Sequence, residues 1–209
     1  MTQALAGFNE HGIVLATDSR ASRFDPAGQP EYFSVKKLLP LGSHAAILNG
    51  GAGVSVPLSQ ALQREIGARR GLDHLEDMAD FALNFLSQGY GRHLARHGPE
   101  PEGFRRLYFI LAGYSPDQPP PGFSLFLLGS EANELPLRHI PTTNLVVMPR
   151  NLGMEMRLFK ALNRRASLQE LLHLSRDFLE KMAAAQEEVG SPFHFATITA
   201  AGYREVSLI

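Results

Sequence analysis

Residues 1–22 read MTQALAGFNEHGIVLATDSRAS, and the way this stretch folds governs the reading of the rest. Two short apolar runs, 3–8 and 12–17, flank the polar turn NEHG. Apolar segments on either side of a turn cluster predict a β-hairpin, so the chain begins inside a sheet. The second run closes on an acid and a base, Asp18 and Arg20, and Thr2 lies sixteen residues before that acid. Charge at the inner end of a strand needs a partner or a task.

Outward from the hairpin, the stretch RFDPAGQPEYF leads to SVKKLLPLG and then to HAAILNGGAG, a strand ending in a glycine-rich turn. Two helices are expected next. Ser55 and Pro57 mark the start of the first and Gly71 its stop, while DHLE at Asp73 to Glu76 has capping-box spacing ahead of Leu75, Met78, Ala82, Phe85 and Leu86. Residues 107–114, 123–129, 135–140 and 143–148 then read as strands, the first two separated by SPDQPPPG. A second helix pair follows Asn151, its second member opening with SLQE at Ser167 to Glu170 and an apolar face of Leu168, Leu171, Leu172, Phe178, Leu179 and Met182. Strands 193–200 and 203–208 complete the order. Helices in pairs between antiparallel hairpins predict an α+β fold, a four-layer αββα sandwich of two sheets each covered by a helix pair.

Composition narrows the function classes. At 209 residues the chain fits one domain spanning 1–209. A formal net charge of −1 with 20% charged residues gives no nucleic-acid footprint. The absence of cysteine excludes disulfides, thiolate metal sites and a cysteine nucleophile. No apolar run approaches the roughly 18 residues of a membrane span, and the first residues lack a signal-peptide pattern, so no membrane association and a cytoplasmic location are expected.

Methionine is normally removed before a residue as small as threonine, which would give Thr2 both a hydroxyl and a free α-amine. Such an amine titrates near pH 8, close enough to neutrality to take the hydroxyl proton and return it to a leaving group. The site also needs a cation, an acid to hold it and backbone N–H groups for an oxyanion. Lys37 or Lys36, Asp18, and the pair Gly50 and Gly51 are the candidates.

These motifs, T…GIVLATDSRAS…SVKKL…AILNGGAG, together with GY at 113–114 and the ending VGSPFHFATITAAG, resemble the proteasome β-subunit family over nearly the whole chain. With Thr2 directly behind Met1, the resemblance is to the small bacterial homologues HslV, Anbu and the betaproteobacterial proteasome homologue. It implies the αββα fold of N-terminal nucleophile hydrolases and a threonine-type peptidase, with Thr2 as nucleophile, Asp18 as orienting acid, Lys37 as pKa-lowering cation and Gly50 as oxyanion donor. Ser22, Gly50 and Ala52 would bind a peptide as an added strand. No metal or cofactor is implied. The implied partners are a peptide or unfolded protein substrate, further copies of the chain in a homo-oligomeric ring of about 12–14 subunits, and an unfoldase ATPase. The family's later serine, aspartate and serine helpers match Leu152, Gln186 and Val189, with Glu187 and Glu188 as nearby acids. The stretch from Asp18 to Lys37 is also longer than the family's. A catalytically inactive ring subunit, and an amidase or acyl transferase acting on a small amide, are the alternatives.

Other motifs have plainer readings. NGGAG lacks the Lys-Ser/Thr of a phosphate loop, and SVKK from Ser34 opens no expected helix. His93 and His97 share a helical face without a third ligand and read as solvated. His194, Met154 and Met156 read as packing residues, and Arg20 as half of a structural ion pair.

Overall fold

The computed structural model describes residues 2–25 and 27–208. Ala4–Asn9 (β1) and Gly12–Thr17 (β2) form the N-terminal hairpin, with Ala4 opposite Thr17 and Asn9 opposite Gly12. Alternation sends Ala4 and Ala6 to one face and Leu5 to the other. Both faces are buried, which is why the segment is apolar throughout.

Next comes a hairpin where the sequence suggested only a connection, Arg20–Phe24 (β3) paired with Pro30–Ser34 (β4). It is largely exposed and so carries no hydrophobic alternation to betray it. The Asp25 carboxylate closes its turn by accepting from the N–H groups of Ala27 and Gln29. Leu38–Pro40 (β5) and Ala45–Gly51 (β6) then lead into the helices Ser55–Ala68 (α1) and Leu75–His97 (α2).

The start of α2 differs from the capping box. Its N-cap is His74, and the orphan N–H of Leu75 is met by Ser115 Oγ from across the layer. Ser115 in turn donates to Glu76 Oε2. A tertiary hydroxyl has replaced the local cap that Asp73 offered.

Leu107–Tyr114 (β7), Phe123–Ser130 (β8), Arg138–Ile140 (β9) and Leu145–Met148 (β10) follow. The strand expected over 135–140 is shorter because Pro136 has no N–H to give a ladder. Leu152–Asn163 (α3) is capped by Asn151, and Leu168–Ala185 (α4) by Ser167, whose hydroxyl accepts from Glu170 N–H at 3.2 Å in the expected box. His194–Thr199 (β11) and Gly202–Val206 (β12) complete the elements.

Two five-stranded antiparallel sheets result, ordered β10-β1-β2-β11-β12 and β5-β6-β7-β8-β9, with β3 and β4 as a separate ribbon. Three apolar clusters set the layers. One, with Ile13, Leu15, Leu48 and Ile110, lies between the sheets. A second joins Ile47, Phe109 and Leu111 to α1 and α2, and a third joins Leu5, Val14 and Phe195 to α3 and α4. Each fully buried Leu, Ile or Phe in them contributes about 1.5–3 kcal/mol. The order is helix pair, sheet, sheet, helix pair. Among the described residues no helix is long and apolar enough to cross a membrane.

Candidate active site

The hairpin β1–β2 continues past its last paired residues, since Asp18 N–H donates to Gln3 C=O at 3.1 Å. That extension brings the start of the chain beside Asp18. Thr2 is 8% exposed and shares the parity of Ala4 and Ala6, toward the inter-sheet layer.

Asp18 is fully buried and its carboxylate accepts from three donors among the described residues. Oδ1 accepts from Gln3 N–H at 3.0 Å and from Lys37 Nζ at 2.9 Å, while Oδ2 accepts from Arg20 N–H at 3.0 Å. Lys37, 2% exposed, also donates to Arg20 C=O at 2.6 Å. Burial holds the Lys37 ammonium below the ordinary lysine range, against the opposing pull of Asp18. Lys36 faces the other way, exposed and paired with Glu205 at 2.6 Å. Alternation at the entry to β5 thus assigns the two adjacent lysines to different tasks.

Asn49 fixes Lys37 from behind. Its backbone N–H and its Nδ2 both donate to Lys37 C=O at 3.1 Å, and its Oδ1 accepts from Ser55 Oγ at the start of α1. Nothing in the sequence singled this residue out. A buried Asn inside the apolar run AAILN was the available signal, because such an amide needs partners.

The glycine turn at the end of β6 is shaped by its neighbours. A Cβ at Gly50 would lie 2.5 Å from the Tyr108 ring, and one at Gly51, where φ is +87°, would lie 2.0 Å from Arg106 C=O. Neither position tolerates a side chain. Asn49 N–H points to Lys37 on the β5 side and Ala52 N–H donates to Arg106 C=O at 2.7 Å on the β7 side. Antiparallel alternation between those two anchors turns Gly50 N–H toward β7 and Gly51 N–H toward the edge that β5 leaves uncovered. The donor aimed at the open edge is therefore Gly51, one residue beyond the expected Gly50. Ala52 is likewise committed to Arg106 and to the core under α1, away from that edge.

Ser22 is placed differently. Val35 N–H donates to Ser19 C=O and Asp25 N–H to Gln29 C=O, so odd-numbered residues of β3 face β4. Arg20, even-numbered, faces away, toward Asp18 and Lys37. Ser22 follows the same parity, and its N–H and C=O point to the edge of β3 that carries no strand. A groove of about 530 Å³ between β10 and α3 has no wall at Thr2, Asp18 or Lys37. Thr2, Asp18 and Lys37 are themselves buried, and the free edge of β3 lies beside them.

Several expected partners lie elsewhere. The Arg20 side chain does not pair with Asp18; its guanidinium donates to Glu187 C=O, sits 5.4 Å from the Tyr32 ring and packs over Gly190. Leu152 is 70% exposed at the start of α3, Val189 is buried, and Gln186 Oε1 accepts from Gln3 Nε2 at 3.4 Å. Glu187 and Glu188 are exposed, and the half-buried Tyr32 phenol is raised first by burial and then by their charges. His93 is not merely solvated, since Nε2 bonds Glu100 at 2.8 Å. His194 is half-buried, Met154 packs under α3 as expected, and Met156 is exposed. Met1 lies outside the described residues.

The site thus gathers Thr2, Asp18, Lys37 and the glycine turn at one end of the two sheets, with the free edge of β3 beside them. Compared with known proteins, the chain matches no family model and no curated protein sequence.

Proposed function

We propose that this chain is a threonine-type N-terminal nucleophile peptidase of the proteasome β-subunit kind. One observation carries the reading. The buried Asp18 carboxylate holds the Lys37 ammonium at 2.9 Å and, with the same oxygen, the N–H of the residue after Thr2 at 3.0 Å. Removing such a pair from water is costly, and a purely structural role would be served as well by apolar side chains. The pair also stands beside a threonine whose backbone it grips.

The chemistry follows from those groups. Thr2 Oγ attacks the peptide carbonyl while its proton passes to the Thr2 α-amine, free once Met1 has been removed. Lys37 lowers the cost of negative charge at Oγ, and Asp18 keeps the ammonium in place. The oxyanion is received by the backbone N–H at Gly51. Collapse breaks the C–N bond, the amine delivers its proton to the leaving nitrogen, and water activated by the same amine hydrolyses the ester on Thr2. Substrate adds as a strand along β3 at Ser22, a mode that reads backbone first and side chains second. The resemblance extends the proposal to a cytoplasmic ring of about 12–14 copies fed by an unfoldase.

A specific observation favours a second reading, an inactive ring subunit. Where the family places hydroxyls and an acid beside the amine, this chain has exposed Leu152 and buried Val189. Hydrolysis of fluorogenic peptides by the native chain and by Thr2→Ala separates the two. Turnover lost only in the variant supports the peptidase, and turnover absent from both supports the inactive ring.

A further inference from the structure

We propose that Tyr108 is a positioning residue for Thr2, acting through the Thr2–Gln3 peptide plane; the inference rests on Thr2 being the nucleophile. Tyr108 belongs to β7, in the sheet opposite the one that Thr2 leads into. Its phenol crosses the inter-sheet layer and donates to Thr2 C=O at 3.1 Å, with Met148 C=O a further acceptor at 3.5 Å.

Thr2 C=O and Gln3 N–H are the two polar groups of one rigid peptide unit. The phenol holds the first at 3.1 Å and Asp18 Oδ1 holds the second at 3.0 Å. With both ends held, the plane cannot rotate, and the Thr2 Cα at its corner is fixed relative to Asp18 and Lys37. A β-branched side chain on a fixed Cα has few rotamers left, so the direction of Oγ is narrowed before substrate arrives.

Two features keep the phenol in this role. Gly50 stands opposite Tyr108 in the ladder and leaves space for the ring, which a Cβ would meet at 2.5 Å. Burial together with the nearby Asp18 charge raises the phenol far above its ordinary range, so it stays protonated and remains a donor. Glycine at 50 thus has a reason of its own: it accommodates the ring that steadies the nucleophile, while Gly51 faces the substrate edge.

The test compares inactivation by a peptide epoxyketone, which reacts with the hydroxyl and amine of an N-terminal threonine, in the native enzyme and in Tyr108→Phe. The isosteric change removes only the donor. The inactivation rate constant should fall about tenfold while the inhibitor's binding constant stays unchanged, the size expected for one neutral hydrogen bond. Graded fluorotyrosines at position 108 keep the ring shape and vary donor strength, and the rate constant should follow that strength. An unchanged rate constant in Tyr108→Phe, a loss confined to binding, or a flat fluorotyrosine series overturns the role of the phenol. A native protein that takes no label on Thr2 overturns the nucleophile reading and this inference with it.

Discussion

Removing the Asp18 carboxylate should make stability strongly dependent on pH above neutrality, and the size of the effect follows from the site. In Asp18→Ala the Lys37 ammonium, 2% exposed, keeps among the described residues Arg20 C=O as its acceptor. Burial already depresses its pKa, and without the carboxylate that pull loses its chief opponent, so the folded variant holds the Lys37 proton less tightly than the unfolded chain, which binds it near pH 10.4. Where the unfolded state holds more protons stability rises with pH, by at most about 1.4 kcal/mol per unit, and the rise ends near the unfolded pKa of about 10.4. The stranded N–H groups of Gln3 and Arg20 add about 1–3 kcal/mol each at every pH. Urea unfolding followed by circular dichroism at pH 7, 8 and 9 gives the slope from midpoints at constant m. Adding Lys37→Met to Asp18→Ala should abolish the slope and recover stability at pH 7. A flat profile in the single variant, or additive costs in the double variant to within about 0.5 kcal/mol, would refute the coupled buried pair.

Gly51→Ala should destabilise the fold more than Gly50→Ala, because the first meets a backbone carbonyl at 2.0 Å in left-handed backbone and the second a side-chain ring; comparative urea midpoints rank them. Lys36→Ala should change peptide turnover less than twofold and stability by no more than about 1 kcal/mol, as for an exposed pair, whereas Lys37→Ala should abolish turnover. His194 is held below the ordinary histidine range, first by burial and then by Lys36. Its contribution to stability is therefore complete above about pH 6.5 and lost as pH falls through its lowered value. Melting temperatures at pH 7.5 and 5.0 should differ less in His194→Gln than in the native chain.

Most of the layer order was legible because each main strand is buried on one or both faces and each helix carries an apolar stripe. The ribbon of β3 and β4 was not, since an exposed two-stranded element has no burial pattern to print on its sequence. The capping box at Asp73 misled because a distant hydroxyl, Ser115, competes for the same N–H. At the site, the spacing from Thr2 to Asp18 reflects a hairpin that brings the two strand ends together, so sequence distance translated directly into proximity. The choice between Lys36 and Lys37 also follows alternation. Tyr108 and Asn49 escaped notice because their roles depend on long-range contacts from other strands. The parity that favours Gly51 over Gly50 required the register of β6 against both neighbours.

The central claim is that Thr2 is a nucleophile carrying its own base, and the mass of the intact protein after treatment with a peptide epoxyketone tests it most directly. The account predicts a native chain lacking Met1 that gains one inhibitor per subunit, located on Thr2, and a Thr2→Ala chain that gains none. A native chain that retains Met1 and stays unmodified, or one that is labelled equally when Thr2 is replaced, would contradict it.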